Sequence, residues 1–511
     1  MRSQTLLALA LLPLAAPLGP TTTRVSKATL VHDEHQHEHE HAPEGGDASF
    51  EITQALLDDA IAVARPAVER ALGYAIPEGF AGARVGEVDE IAKVLARENL
   101  ASMTAQIGDE EIGAEQAEAF GAGLAPALLA KYAFEERVIL VSPEGFERNA
   151  EMLAVPELLS EQALRAVIVH ELVHAADVPR FAFAATLAGL DDPDRINALS
   201  AVLEGHAQHV ARKVCAELGL EAGFRHYNQA VVGVPTDEGD DGEAIRLMRR
   251  VARLTLARTY TDGERFVAAI EKAGGPEGVE RAFREPPRDL AEVGTPEWYL
   301  HPELRPVAAY DLDAALTAFE AGYGDEFAGV RQSIHAAQLE LAFESLDPQV
   351  VKRITSSLRG ARYAQRARGQ EVLHYAMACE WSSDEAAELV LQASVELVKQ
   401  RDEQMKDGMI RIESSEYEDV AFEDLHTHGT LATKQMKTPF AKFVVRSLVL
   451  RSGSLTFELL RSNEAGTADE FLAAARKIVA AAQAPAPAEA PPTEGDEKAP
   501  PADGTSGGGG G

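Results

Sequence analysis

Residues 170–174, with the sequence HELVH, combine two histidines and a glutamate at a spacing that could serve metal binding and proton transfer. A spacing of four residues places His170 and His174 one helical turn apart, with both imidazoles on the same face. Neutral imidazole nitrogens are good zinc ligands, and Glu171 beside them can accept a proton from a water molecule at the metal. Two neutral core histidines are the competing interpretation of this motif.

The helix that carries the motif is predicted to be buried. Ser160 can cap its first turn, and the apolar run over residues 163–169 leads directly into His170. The helix is expected to end near Asp177, before Pro179.

The third metal ligand is expected from a second helix, because no histidine follows at the spacing of a metzincin-type extension. A helix predicted over residues 196–218 contains Glu204, whose neighbours on the same face are small. Gly205 indicates a close helix approach, since an interior glycine costs about 1 kcal/mol relative to alanine. We therefore predict Glu204 as the ligand. Asp177 and His206 are the alternatives, and Asp177 could instead orient an imidazole.

This set of residues predicts zinc-dependent hydrolysis of a peptide bond in a peptide or protein substrate. Three protein ligands leave a position for water, whose proton Glu171 accepts and passes to the leaving amine. A developing oxyanion needs one more donor. His301 is the predicted catalytic residue for that role, with Tyr299 and Tyr260 as further candidates, although aromatic residues in loops more often serve packing.

Two folded parts are predicted around these residues, at 50–330 and 331–483. The first is chiefly helical, with an amphipathic helix over 51–72 and one short buried strand over 137–142. In the second, alternating apolar residues predict a half-buried strand over 371–381. The other elements predicted there are a helix from Ser383 to about residue 405, strands over 409–413, 443–450 and 455–460, and a helix over 468–482.

The two ends of the chain differ from the folded parts. Residues 1–28 have the basic start and apolar run of a secretory signal peptide, and no later run is long enough to span a membrane. Export to the periplasm or the extracellular space is therefore expected. Residues 29–49 form a His-rich leader that could capture divalent metal weakly or be simply solvated, and residues 484–511 read as a disordered Pro/Ala/Gly tail.

The composition excludes some classes of function. Acidic residues outnumber basic ones 82 to 48, giving a formal charge of -34, and such a chain repels a phosphate backbone. Nucleic-acid binding is therefore not expected. The two cysteines allow at most one disulfide, so stability must come from core packing.

The order of the motifs resembles known metallopeptidases. HELVHA at 170–175 followed by EGHA at 204–207 is similar to the gluzincin pattern, in which a glutamate from a second helix completes the zinc site. With YTDGERFV at 260–267, paired prolines at 286–287 and LHPE at 300–303, the chain more narrowly resembles a family of bacterial exported gluzincin-like zinc metallopeptidases.

The resemblance covers about residues 130–305, with a weaker echo over 362–387. It departs from the family at residues 176–179 and in the segment before LHPE, which affects the expected substrate preference more than the zinc site. It implies a zincin-like core in the first folded part. Together with the strands and helices predicted in the second part, this gives an α+β fold, with a mainly helical zincin-like domain followed by a small α+β domain. It also implies an edge strand, assigned to residues 138–141, against which an extended peptide could lie.

A zinc-stabilised binding or envelope-assembly protein without turnover is the competing class of function. Glu171 favours the enzyme, because a purely structural metal site does not need that carboxylate.

Overall fold

A computed structural model describes residues 50–483 except for 108–109, 191–192, 233–242, 325–326, 335, 344, 369–371, 405–410, 438–441 and 463–466. The predicted signal peptide, His-rich leader and C-terminal tail lie outside these residues. Within the described ranges, no helix combines the length and apolar composition needed to cross a bilayer.

The first part of the chain is mainly helical. Its helices are α1 (Gln54–Leu72), α2 (Val88–Ile107), α3 (Glu110–Leu124), α4 (Pro143–Met152), α5 (Glu161–Arg180), α6 (Phe183–Ala188), α7 (Pro193–Glu217), α8 (Glu221–Val232), α9 (Glu243–Arg284), α10 (Leu290–Gly294) and α11 (Pro296–Leu300). Its strands are β1 (Ala83–Val85), β2 (Ala130–Ala133) and β3 (Val138–Val141). Single 3-10 turns occur at Ala125–Ala127, Pro156–Leu158 and Pro302–Leu304.

Side-chain caps mark where two of the predicted helices, α1 and α5, begin. The Thr53 side chain accepts a hydrogen bond from the Leu56 N–H at the start of α1, and the Ser160 side chain accepts one from the Ala163 N–H at the start of α5. Helix α5 continues to Arg180, past its predicted end, because a proline in the last turn removes only one backbone hydrogen bond.

A three-stranded sheet in the order β1-β3-β2 supports α5. All four residues of β3 are buried, as predicted for this strand. Side chains of α1 and α5 pack with Ile139 and Val141 on one face, and side chains of α2 pack with Val138 and Leu140 on the other. The expectation that β3 forms the edge is wrong, because β1 pairs with it on one side and β2 on the other. The edge beside α5 belongs to β2.

The second part of the chain is a small α+β domain, and the predicted fold class is confirmed. Its strands are β4 (Ala328–Ser333), β5 (Leu358–Arg368), β6 (Val372–Trp381), β7 (Arg411–Phe422), β8 (Thr427–Lys437), β9 (Lys442–Ser452) and β10 (Leu455–Ser462). Its helices are α12 (Leu312–Glu320), α13 (Ala336–Ala342), α14 (Pro348–Ser357), α15 (Asp384–Gln404) and α16 (Ala468–Ala482), with a 3-10 turn at Glu423–Leu425. The strands form one antiparallel sheet in the order β4-β5-β6-β10-β9-β8-β7.

Strand β6 is buried on both faces, so its predicted half-burial is wrong. Tyr375 and Met377 pack with α14 and α15, while the intervening Ala376 and Ala378 pack with α12 and α16. The alternation in the sequence separates large from small residues, and helices cover both sides. Because α12 packs on this sheet, the second packing unit begins before residue 312, ahead of the predicted division at 330.

Three strands of this sheet, β4, β5 and β8, were not predicted, and β7 is longer than expected. Their polar and charged residues give no continuous apolar signal, and β4 and β7 lie at the two edges of the sheet. Pairing with neighbours supplies the order that their sequences do not indicate.

Candidate metal centre

His170, His174 and Glu204 converge between α5 and α7. Their nearest donor atoms all lie within 4.8 Å of one another. The Nε2 atoms of the two imidazoles are 3.0 Å apart, and the Glu204 Oε2 atom lies 3.2 Å from His170 Nε2 and 3.3 Å from His174 Nε2. Both histidine side chains are buried, whereas that of Glu204 is 24% exposed. The predicted ligands therefore form one group of residues that could hold a metal ion, called the metal group below.

The hydrogen bonds behind His170 establish which of its nitrogens faces the group. The Gln208 Oε1 atom lies 3.2 Å from His170 Nδ1, while the Gln208 Nε2 atom donates to Asn228 at 2.8 Å. Because the amide oxygen can only accept, His170 Nδ1 carries the proton and Nε2 presents a lone pair. That lone pair faces the Glu204 carboxylate, which is also an acceptor. A cation or an additional proton must therefore lie between them.

The separations fit a metal ion. In a tetrahedral site with bonds of about 2.1 Å, two ligand atoms are about 3.4 Å apart, close to the distances found here. The His174 Nδ1 atom is buried without a hydrogen-bond partner among the described residues. The contacts of that imidazole are therefore concentrated at Nε2, on the side of the group.

Electrostatics within the group favour the charged forms. Burial opposes ionisation of Glu204, but the adjacent His174 and His170 imidazoles hold the pKa of this carboxyl well below its usual range. Burial also opposes protonation of His174, yet the Glu204 and Glu171 carboxylates outweigh it and raise the pKa of this imidazole. In the absence of a metal, a proton on His174 can neutralise the carboxylate. Metal and proton therefore compete for this position.

Gly205 allows the Glu204 helix to approach α9. A Cβ atom at Gly205 would lie 2.1 Å from the carbonyl carbon of Gly263, and one at Gly263 would lie 2.2 Å from the Ala201 carbonyl oxygen. Both distances are too short for any side chain. The predicted close approach is confirmed, and it is a backbone crossing of α7 and α9 one residue from the ligand.

Glu171 lies between the metal group and the edge of the small sheet. Its side chain is buried, and its Oε2 atom accepts a hydrogen bond of 2.7 Å from the Tyr132 N–H of β2. This contact orients the carboxylate beside the two histidines while leaving its second oxygen available. Glu171 thus lies next to the group formed by His170, His174 and Glu204 without belonging to it.

Two tyrosines border the group. The Tyr260 ring stacks on that of His170 at 5.7 Å between centroids, and the Tyr227 ring meets the same imidazole edge-on at 5.4 Å. Burial and the nearby Glu204 carboxylate, with which the hydroxyl also hydrogen-bonds, raise the pKa of Tyr260 well above its ordinary value. Burial and the Glu171 carboxylate have the same effect on Tyr227. Both phenols therefore remain protonated donors.

The alternative ligands pair with each other instead. Asp177 is fully buried; its Oδ2 atom lies 2.7 Å from His206 Nδ1, and its Oδ1 atom accepts a hydrogen bond of 2.6 Å from the Tyr74 hydroxyl. Asp177 thus orients an imidazole, as one prediction allowed, but the imidazole is that of His206. This triad, in which Asp177 and His206 are buried and Tyr74 is half-buried, ties the end of α5 to α7 and to the segment after α1.

His301 is not part of the group in this structure. Its side chain is 60% exposed, and its Nδ1 atom lies 3.5 Å from the Glu303 carboxylate. Tyr299 packs on Phe266 and donates a hydrogen bond to the Glu285 carbonyl oxygen, so it serves packing. Of the three predicted oxyanion donors, Tyr260 is the one that contacts the metal group.

Sequence reasoning missed three residues that line or support this site. Gln208 follows Glu204 by four residues on the same face of α7, so helical spacing could have identified it. Tyr227 lies on α8 and Tyr132 on β2, and only the packing of those elements on α5 brings them to the site.

Comparison with known proteins adds little. No protein-family model matches the chain, and no curated protein matches it. Among solved structures, it is similar to a protein from Chloroflexus aurantiacus described as a "putative hydrolase with a novel fold". The TM-score is 0.34 and the sequence identity 18%, over 50% of this chain and 94% of that one. At that level of similarity, the function of this chain has to be argued from its own side chains.

Proposed function

We propose that the protein is an exported zinc-dependent peptidase of the gluzincin type. The observation that carries the proposal is the convergence of His170, His174 and Glu204, with the Glu171 carboxylate beside them. Two imidazole nitrogens and one carboxylate oxygen suit zinc, whereas calcium and magnesium prefer oxygen ligands throughout. Export rests on the signal-like residues 1–28.

The chain's residues have distinct roles in the proposed reaction. His170, His174 and Glu204 would hold zinc, which when bound polarises a carbonyl group and increases the acidity of a water molecule. Glu171 accepts the proton of the attacking water and delivers it to the leaving amine. Tyr260 donates a hydrogen bond to the developing oxyanion, the role first predicted for His301.

Substitution of Glu171 by glutamine separates metal binding from catalysis. The Glu171→Gln side chain can still accept from the Tyr132 N–H but cannot act as a base. Zinc content and melting temperature should therefore stay near wild type while peptide turnover falls about 100- to 10,000-fold. Tyr260→Phe should retain zinc and lose about 100-fold in turnover. Glu204→Gln should instead lose zinc, because a ligand charge is removed.

Glu161→Gln is the matched control, since it makes the same chemical change on the exposed first turn of α5. The measurements are zinc content, melting temperature and cleavage of a peptide library for every variant. Unchanged turnover in Glu171→Gln would remove the hydrolase proposal. A zinc-stabilised protein without turnover would then be the better account.

A further inference from the structure

The open edge of β2 lies beside the metal group, since its Tyr132 N–H donates to Glu171. Tyr132 lies opposite Ile139, whose N–H donates to the Gly82 carbonyl on the far side of β3. The Tyr132 N–H and C=O therefore point away from β3, toward the open edge. An extended peptide that adds a strand to this sheet would have to hydrogen-bond there.

Side chains of this chain already occupy that edge. The Phe134 N–H donates to Glu98 Oε1 at 2.7 Å, and the Lys131 Nζ atom donates to the Tyr132 carbonyl oxygen at 2.7 Å. The Tyr132 N–H is taken by Glu171. Three successive outward main-chain groups thus have charged partners, all supplied from within the first domain.

Glu98 and Lys131 also bind each other. The Lys131 Nζ atom lies 2.8 Å from Glu98 Oε2, with side-chain exposures of only 15% and 5%. The ammonium group lies 3.9 Å from the centre of the Phe134 ring. Glu98 belongs to α2, which packs beneath the sheet through Val94 and Leu95. The pair therefore bridges the helix below the sheet to the strand edge beside the metal group.

We propose that the Glu98–Lys131 pair determines which substrates reach the metal group, by capping the edge of β2 against extended peptides. The inference rests on the proposed peptidase function and concerns the substrate class of that same site. A peptide long enough to pair along residues 132–134 must displace the Glu98 carboxylate and the Lys131 ammonium. A short peptide that stays beside Glu171 and Tyr132 displaces neither. The wild-type protein therefore prefers short peptides.

Peptide binding tests the inference without turnover when every protein compared, including the one with the wild-type residue at position 98, is zinc-loaded full chain carrying Glu171→Gln, because the active enzyme would cleave the probes. The probes are a fluorescein-labelled, blocked octapeptide of alanine and leucine and a matching blocked dipeptide, both measured by fluorescence anisotropy. Glu98→Ala should bind the octapeptide about 10-fold more tightly than wild type, because a charge-assisted hydrogen bond no longer competes. Dipeptide affinity and zinc content should not change.

Two further variants control for misfolding and for the loss of a nearby negative charge. Glu98→Gln keeps an acceptor of the same size for the Phe134 N–H but removes the ion pair, so it guards against misfolding and should give an intermediate gain. Glu136→Ala is the matched control, because Glu136 lies in the turn between β2 and β3 and forms an exposed ion pair with Arg97, the α2 residue next to Glu98. It should bind both peptides like wild type.

The inference is overturned if octapeptide affinity is unchanged in Glu98→Ala, or if the octapeptide and dipeptide gain equally. An equal gain in Glu136→Ala would overturn it as well. Failure of the proposed function has a different signature, namely zinc-loaded wild-type protein that cleaves neither peptide. In that case the affinity ratios still decide whether Glu98 and Lys131 cap the strand.

Discussion

Replacement of Gly205 by alanine tests the link between helix packing and the metal group. The new Cβ atom would lie 2.1 Å from the Gly263 carbonyl carbon, whereas ordinary contact begins at 3.4 Å. Helices α7 and α9 would have to separate by roughly 1.3 Å at this point. Overpacking of this kind costs about 1–3 kcal/mol, which exceeds the gain of about 1 kcal/mol that alanine brings to a helix interior.

Gly205→Ala should therefore lower the melting temperature, and it should weaken zinc binding because the backbone that moves carries Glu204. Gly123→Ala is the matched control. Gly123 lies in α3, and no atom within 4 Å would meet its Cβ, so this substitution should stabilise the protein slightly. Because the two substitutions should change the melting temperature in opposite directions, they distinguish the close approach at Gly205 from a general effect of replacing glycine by alanine.

Thermal unfolding by calorimetry and zinc titration against a competing chelator measure both effects. A Gly205→Ala variant that is as stable as Gly123→Ala and retains wild-type zinc affinity would refute the reasoning. It would mean that the approach of α7 to α9 does not position Glu204.

Two further predictions concern the metal group. Gln208→Leu removes the acceptor that holds His170 Nδ1 and should weaken zinc binding about 10- to 100-fold, as measured by chelator competition, whereas Gln208→Glu should retain most of the affinity. Zinc affinity should fall on acidification, and the fall should begin at a pH above 6.5, the ordinary pKa of histidine. The reason is that the raised pKa of His174 lets protons compete with zinc at a higher pH. The stability of the metal-free protein should change with pH in the opposite direction to zinc affinity. The contact between protonated His174 and Glu204 stabilises the fold at low pH, and this contribution is lost as the pH rises through the raised pKa of His174. A pH-independent zinc affinity between pH 5 and pH 8, roughly the range in which histidines titrate, would contradict this assignment.

Local signals explain most of what could be predicted about the elements. Side-chain caps at Thr53 and Ser160 define where two helices begin, and the helix over Ala468–Ala482 begins at a capping box formed by Thr467 and Glu470. These interactions join residues only a few positions apart, so the sequence contains them in full. Strands β5 and β8 depend on partners far along the chain, and their sequences do not reveal them.

The candidate site divides in the same way. The positions of His170, Glu171 and His174 follow from helical periodicity, and the small residues around Glu204 indicated a second helix at close range. Which donor replaces His301 could not be read from the chain, since Tyr260 reaches the group only through the crossing of α7 and α9.

The residue types and the spacing along α5 and α7 predicted His170, His174 and Glu204 as ligands, because helical geometry links positions within one helix by a known rotation. They left Asp177 and His206 as alternatives to Glu204, and the tertiary structure pairs these two with each other instead. The order of the strands was decided by tertiary structure alone, because β1 and β2 bond to β3 from segments on either side of α2 and α3 in the chain. That order leaves β2, which carries Tyr132 and Lys131, at an edge of the sheet. The packing of α2 beneath the sheet brings Glu98 to the same edge. Strand pairing and helix packing between segments distant in the chain, which no local periodicity encodes, therefore determined what surrounds the metal group.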